Sequence, residues 1–558
     1  MTAPTSGQSW FDRLSDRSAI LVVAGALFAL NVWPVFIVRY LPYQDLPNHL
    51  AAAAIVQNLD KFPEFEFNGL FKTNAILFAW FFCVGKVVSL NTAAKIFAVM
   101  TMGVTSIALP TSIVLFAGRP RLRTAALLMW PMIQSWFLIT GMLNFALAVP
   151  LSLLFLCVMH RYWERPSWTQ GALAASIALL AWYAHVLALG IAGMLMGIRL
   201  LQEIRGQNLR DAAHRFFVVA LPALPAGVLT VLAAVSAGQE RRFTVRIEFG
   251  HSYRSPWELV YNFWDEYFHG FSNLSITTLL PSVLVGIYLW QRRREAIPFF
   301  NGWGLVALLC GYVFVPHTHA RWAYLSARFI PFLLMAGFFR APENLSRWMR
   351  HALVGAALLY SVGMGVDHIR IERDRREMTA AMDVVKPGAK LLPLIFDQRG
   401  AVTNTFPMMH AWGYYTLEKG ASAPLLFASS RSFALQFKED PPEVVRYGLI
   451  PIPMATSDIF CAGLRDLSLP LADCMANYVR EWKRFWEGAA ANFDHVLVYT
   501  WEKRLLPPRD GESKGDIRES ESTHTEQEFL TYVPDTFEQI FLSHRLAVFR
   551  RREADVKK

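Results

Sequence analysis

The sequence predicts a polytopic α-helical membrane protein of roughly 11 transmembrane helices, followed by a C-terminal extracytoplasmic α/β domain. Three observations predict it. Of 558 residues, 54% are hydrophobic and only 18% charged, a balance foreign to a soluble enzyme. Apolar runs long enough to cross a hydrocarbon layer recur through the first two-thirds of the chain. From about Asp367 onward the apolar runs shrink to strand length, and charges, prolines and turn residues return every few positions. The expected division is therefore residues 1–366 for the membrane part and 367–558 for the soluble part, which is long enough for its own core.

The runs lie at about 19–39, 71–89, 93–117, 124–140, 143–160, 169–184, 186–203, 214–236, 276–291, 301–316, 322–339 and 350–366. Arginines sort them. Clusters at Arg119, Arg121 and Arg123, at Arg161 and Arg165, at Arg199 to Arg215, at Arg292 to Arg294 and at Arg340 to Arg350 are each separated by a pair of runs. All then fall on one side, which the positive-inside rule makes cytoplasmic. Placing Arg13 and Arg17 there too requires one early run not to cross. The choice is 71–89, which carries Lys72 and Lys86 and follows the polar stretch "DKFPEFEFNG". This gives a cytoplasmic N-terminus, retained as the first span, and an extracytoplasmic C-terminal domain. The net charge of +10 is accounted for by these topological clusters, with no call for nucleic acid. Cys83, Cys157 and Cys310 lie in apolar runs as packing residues, whereas Cys461 and Cys474 are free to pair in an oxidising compartment.

On this topology "YQDLPNHL", residues 43–50, faces outward. Ala52, Ile55, Val56 and Leu59 follow at helical spacing, predicting an amphipathic helix lying in the interface. Pro47 suits its first turn and leaves Asp45 just ahead of the N-terminus. Asp45 has three readings there: a cap for the helix donors, a general base for an acceptor hydroxyl, or a metal ligand. His49, one turn on, is either a packed interface histidine or an acid, a phosphate contact or a ligand.

The remaining outward connections are polar as well. Asn144 in "TGMLNFAL" is a cap or a substrate contact, and His185 in "WYAHVLALG" is a polar group at a costly depth. A long connection from 238 to 275 carries Arg241, Arg242, Arg246 and Arg254 on a face otherwise poor in arginine. In "HTHARWAYLSARFIPF", the seven-residue spacing of Arg321 and Arg328 predicts both on one helical face. Arginines at headgroup depth suit a phosphate or diphosphate, which they engage bidentately, or ordinary lipid headgroups. "HTH" at 317–319 lacks a clear third partner for a metal.

In order of features, the chain resembles the GT-C superfamily of membrane glycosyltransferases. The resemblance runs through Asp45 in the first outer loop, the helix after it, a non-crossing apolar segment, the tight "GMLNF" turn, the late "ARWAYLSARF" segment and the outer domain with "HAWGYYTLEKG" and "RLAVFRR". It implies a bacterial inner (cytoplasmic) membrane enzyme that moves a sugar from a polyprenyl-phosphate donor to a glycan, lipid or protein hydroxyl. Asp45 would be the base, and Arg328, with Arg321 behind it, would bind the donor phosphate, while His49, Asn144, His185 and Arg254 are the further candidate substrate contacts. Members often carry two adjacent acids in the first loop or an acid in the second; here there is one Asp and Asn144. No cofactor is firmly implied, and a divalent metal, Mg or Mn, stays open. Two alternatives stand beside this reading: a polysaccharide ligase or polymerase, and a non-enzymatic transporter or flippase. The latter should show internal repeats and Gly/Pro-broken helices near the midplane in matching halves, and the sequence shows no such repeat.

The outer domain reads as α/β. "AKLLPLIF" and "DHVLVYTW" predict strands, "EVVRYGLI" and "MANYVREWKRFWEG" predict helices, and "DGESKGDIRESESTHTEQE" predicts a polar loop. No glycine-rich nucleotide fingerprint occurs.

Overall fold

The computed structural model describes residues 10–237, 251–260, 263, 270–272, 286, 297–319, 322–395, 397–428, 433–439, 486, 490–499 and 533–552. The chain divides into two units. One comprises Met1–Arg39, Leu70–Glu240 and Glu248–His368, and the other Tyr40–Gly69, Arg241–Ile247 and Ile369–Lys558. The segment holding Asp45 thus groups with the C-terminal part of the chain.

The first unit is helical. Among the described residues, six helices of the chain are long and apolar enough to cross a membrane: Asp16–Phe36, Leu90–Ala117, Leu143–Glu164, Trp168–Ile204, Leu209–Val235 and Arg347–Met378. The last of these holds the unit boundary, at His368. Their starts follow from local chemistry. Ser15, Ser89, Ser167 and Asn208 each accept a hydrogen bond from the backbone N–H three residues on, filling one of the orphan donors that every helix leaves. Gly141, at φ +87°, supplies the left-handed turn that lets Leu143–Glu164 begin two residues later.

One expectation, that 71–89 does not cross, fits the helix found there, and several others change. The run 71–89 forms a helix only over Ile76–Val84, nine residues and about 13 Å, less than half of a ~30 Å hydrocarbon layer. The run 124–140 is not one helix: it breaks into Leu122–Met129, a 3₁₀ turn at Trp130–Met132 around Pro131, and Trp136–Ile139. Runs 169–184 and 186–203 meet without a loop, because His185 alone leaves the helical region, at φ −166° and ψ 113°. Around Arg321 and Arg328 the helical premise fails. Trp322 pairs with His319 as a bridge, Tyr324 has φ +59°, and only Ser326–Phe329 turns as 3₁₀ before the helix Ile330–Phe338. Seven-residue spacing therefore places nothing on a shared face, and Arg321 itself lies outside the described residues.

The second unit has a four-stranded sheet in the order Leu391–Ile395, His495–Tyr499, Leu546–Arg551, Phe537–Leu542. The first pair is parallel and the others antiparallel. The two parallel strands, Leu391–Ile395 and His495–Tyr499, are buried at every position, which is why they read as continuous apolar runs without alternation. Arg545 fastens this sheet. Its guanidinium pairs with Asp374 at 2.8 Å and with Asp397, and lies 4.7 Å from the Tyr499 ring. A two-stranded ladder joins Phe65–Phe67 to Leu435–Phe437. The cysteines 461 and 474, and the segments "EVVRYGLI" and, except for Trp486, "MANYVREWKRFWEG", lie outside the described residues.

The helix after Asp45 spans Leu46–Gln57. It is not amphipathic. Every residue from Leu46 to Ile55 is buried, and the four alanines Ala51–Ala54 keep it thin enough to be enclosed on all sides.

Candidate active site

Asp45 occupies the N-cap position of Leu46–Gln57, with Pro47 inside the first turn. Its side chain accepts no cap hydrogen bond. The carboxylate points instead to the side chain of the preceding residue and to one from a distant segment of the same unit. Gln44 Nε2 lies 3.4 Å from Asp45 Oδ1, and His410 Nε2 lies 3.6 Å from the same oxygen. A fifth of the Asp45 side chain remains accessible, so water and a hydroxyl can reach it. The protein around it still strips most of its hydration, and this desolvation raises its pKa to about 7, against a small opposing effect of Gln44.

The loop leading into Asp45 is held by Arg375, fully buried near the end of Arg347–Met378. The guanidinium donates to the carbonyls of Leu41, Tyr43 (3.3 Å) and Pro407 (2.9 Å) and to the Tyr414 hydroxyl (2.8 Å). One planar fork thus ties the Asp45 loop to the segment that carries His410. Asn48 adds a second tie. Its Oδ1 accepts from Phe427 N–H at 3.0 Å, and its Nδ2 donates to Leu425 O at 3.0 Å and to His410 Nδ1 at 3.3 Å. His49 sits against the rings of Phe427 and Phe433, at 5.7 and 6.4 Å, and burial pushes its pKa down to about 4.

The other candidates lie in the first unit. Arg328 is buried, with Nη1 3.0 Å from His185 Nε2, Nη2 3.4 Å from Ala323 O and its guanidinium 4.8 Å from the Phe145 ring. No carboxylate pairs with it among the described residues, and its Nε has no hydrogen-bond partner. His185 stands where the two halves of Trp168–Ile204 meet. The exposed backbone groups of that break are satisfied by Thr73, whose hydroxyl donates to Trp182 O and accepts from Val186 N–H, and by Ala75 N–H on Tyr183 O. Asn144 braces the same region, accepting from Leu77 N–H at 3.0 Å and donating to Asn74 O at 2.9 Å. Its amide is committed to backbone, as a cap for Ile76–Val84. Arg254 reaches His317 Nε2 at 2.8 Å, and His317 Nδ1 lies 3.3 Å from the Ser326 hydroxyl, two residues before Arg328.

A narrow apolar pocket of about 20 Å³ lies beside the helix that follows Arg328. Met132, Val149, Pro150, Leu153, Phe332 and Met335 are among the residues lining it. Thr101 and Thr105 also line it, but their hydroxyls are already given to carbonyls one turn back, so the walls offer little beyond apolar contact.

His410 and Gln44 are the partners of Asp45 that spacing arguments missed, with Asn48 behind His410. His410 lies more than 360 residues away in sequence, and no local pattern marks it. For a metal, the described residues around Asp45 supply few donors. Asp45 and His410 make two donors, and no group of three or more His, Cys, Asp or Glu side chains gathers among the described residues.

No protein-family model and no curated protein sequence matches the chain. Solved structures do. A structure of the arabinofuranosyltransferase AftD from Mycobacteria is 14% identical, with a TM-score of 0.46, over 96% of this chain and 42% of its own. The crystal structure of ArnT from Cupriavidus metallidurans, bound to undecaprenyl phosphate, is 11% identical and matches 97% of this chain and 98% of its own, with a TM-score of 0.50. At that identity the likeness is one of architecture: over nearly its whole length the chain shares the fold of the ArnT structure.

Proposed function

We propose that the protein transfers a sugar from a polyprenyl-phosphate donor to an acceptor hydroxyl at the outer face of a bacterial inner membrane. The observation that carries this reading is the state of Asp45: a carboxylate free of capping, partly accessible and held near neutrality by desolvation. Those are the properties of a general base matched to its working pH. The acceptor oxygen attacks the anomeric carbon as the bond from that carbon to the phosphate oxygen breaks. The hydroxyl proton goes to Asp45, and the electron pair leaves with the lipid phosphate.

Arg328 supports the donor side, read from its own surroundings. A buried guanidinium without a carboxylate is costly unless an anion joins it, and a phosphate supplies one bidentately. The ArnT structure contains undecaprenyl phosphate, which makes that lipid the first donor carrier to try. The arginine clusters favour roughly 11 crossings with the C-terminal residues outside.

The test is incubation of the purified protein with radiolabelled polyprenyl-phosphate sugars and a membrane extract as acceptor, comparing wild type with Asp45→Asn. Turnover by the wild type that drops at least ~100-fold in the variant is expected. Equal turnover removes Asp45 from catalysis, and no turnover with any donor rejects the reading. A C-terminal reporter that fluoresces only in the cytoplasm should stay dark.

A further inference from the structure

We propose that His410 is a positioning residue for Asp45, fixed by Asn48 in the one tautomer that presents an N–H to the carboxylate. This rests on the reading of Asp45 as the base and adds the device that aims it. The argument starts from the backbone. Phe427 N–H can only donate, so the Asn48 atom facing it must be the carbonyl oxygen, and the atom facing Leu425 O must be the amide nitrogen. The orientation of the Asn48 amide is thereby fixed by main-chain groups on both sides. Its nitrogen, which carries only donors, then faces His410 Nδ1 at 3.3 Å. Nδ1 must accept, and in the neutral ring the proton sits on Nε2, which points at Asp45 Oδ1.

The neutral ring is the form the surroundings select. Burial pushes the His410 pKa down to about 3, and the neighbouring His49 adds to this. Phe427, with its ring 5.0 Å away at 74°, and Trp412, at 6.2 Å, hold the plane of the imidazole. Gln44 repeats the logic on a smaller scale. Its Oε1 accepts from Phe406 N–H at 3.1 Å, which leaves its Nε2 to face Asp45. Both aimed donors converge on Oδ1. Among the described residues no hydrogen bond engages Oδ2, which is left to take the acceptor proton. The titratable and charged groups facing Asp45 are then His410 and, behind it, His49, with Arg375 held to the carbonyl of Tyr43 in the preceding loop. At 3.6 Å the Nε2 to Oδ1 contact is longer than a hydrogen bond, and it acts on the carboxylate as an N–H dipole aimed at Oδ1.

The test reads Asp45 directly and needs no sugar donor. Dicyclohexylcarbodiimide labels a protonated carboxyl, so the pH profile of Asp45 labelling in the full chain in detergent, read by mass spectrometry, gives its titration midpoint. A midpoint near 7 is expected for the wild type. His410→Phe, which keeps the bulk and loses the N–H, should raise it by about one pH unit, while His410→Gln, which keeps an N–H at that position, should stay within about 0.3. An unchanged midpoint in His410→Phe overturns the proposal, and so does an equal shift in both variants, which would mark a packing role. The wild type supplies a check independent of variant folding. Ring-¹⁵N histidine spectra, with His410 assigned by its loss in His410→Gln, should show Nδ1 unprotonated and Nε2 protonated at pH 7; a protonated Nδ1 sinks the idea. A protein that labels as expected but transfers no sugar would leave this tautomer lock standing and reject only the proposed reaction.

Discussion

Gly413 and Pro47 meet backbone to backbone: a methyl group added at Gly413 would lie 2.4 Å from the Pro47 carbonyl oxygen. Pro47 is two residues from Asp45 and Gly413 three from His410, so this contact sets how closely the two halves of the site approach. Gly413→Ala must push the helices Leu46–Gln57 and Gly413–Lys419 apart. We expect a loss of about 1–3 kcal/mol in unfolding experiments and a fall in transfer rate larger than that loss explains. A variant with wild-type rate would show that the spacing is not critical.

The pH dependence has a defined sign. Only ionised Asp45 can take a proton, so the rate should rise with pH through an apparent pKa of about 7 and then level off. Stability should move the other way. Between the unfolded value of 3.8 and the folded value of about 7 the folded state binds the extra proton, so the Asp45 contribution to stability falls as pH rises across that window. His410 opposes this. Its folded pKa of about 3 lies below 6.5, so its contribution is gained as pH rises between those values. Asp45→Asn should therefore melt higher than wild type at pH 8, by roughly 2 °C or more, and the gain should vanish near pH 4.

Arg328 predicts a ligand effect. Undecaprenyl phosphate should raise the melting temperature of the wild type, because it binds only the folded state, and should do much less for Arg328→Gln. Without lipid, the variant should be no less stable than wild type, since it removes a buried charge that lacks a carboxylate. Equal stabilisation of both proteins by the lipid would take Arg328 out of phosphate binding.

Arg545 predicts a structural effect. Arg545→Met leaves Asp374 and Asp397 buried without their shared cation, and we expect a loss of about 3–5 kcal/mol measured by denaturant unfolding. Gly400 belongs to the same knot. It has φ +64°, and a Cβ there would lie 2.4 Å from Asp374 Oδ2, so Gly400→Ala should also destabilise.

What the sequence made legible was whatever depends on neighbours along the chain. The strands around "LLPLI" and "HVLVY" announce themselves as apolar runs between turns, and Pro47 marks the start of a helix with Asp45 at its mouth. The break at 185 was visible as polarity inside an apolar stretch. Contacts made across hundreds of residues were not legible. Nothing local ties His410 or Arg375 to Asp45, and the spacing of Arg321 and Arg328 assumed a helix that Tyr324, in the left-handed region, does not allow. The periodicity of Ala52, Ile55 and Val56 was real but misread, because small residues filled the other positions and those are buried too.

That enclosure has a consequence for how the protein can change. A helix that meets solvent or lipid along one side tolerates drift there, but from Leu46 to Ile55 no side is open. Alanine at 51 to 54 leaves no room for a larger residue, and Leu46, Leu50 and Ile55 leave a hole if trimmed. In a library carrying every single substitution, the stretch from Leu46 to Ile55 should stand out as an uninterrupted block of intolerant positions. Selection for a new acceptor would then have to work through the walls around this helix, leaving the helix itself unchanged.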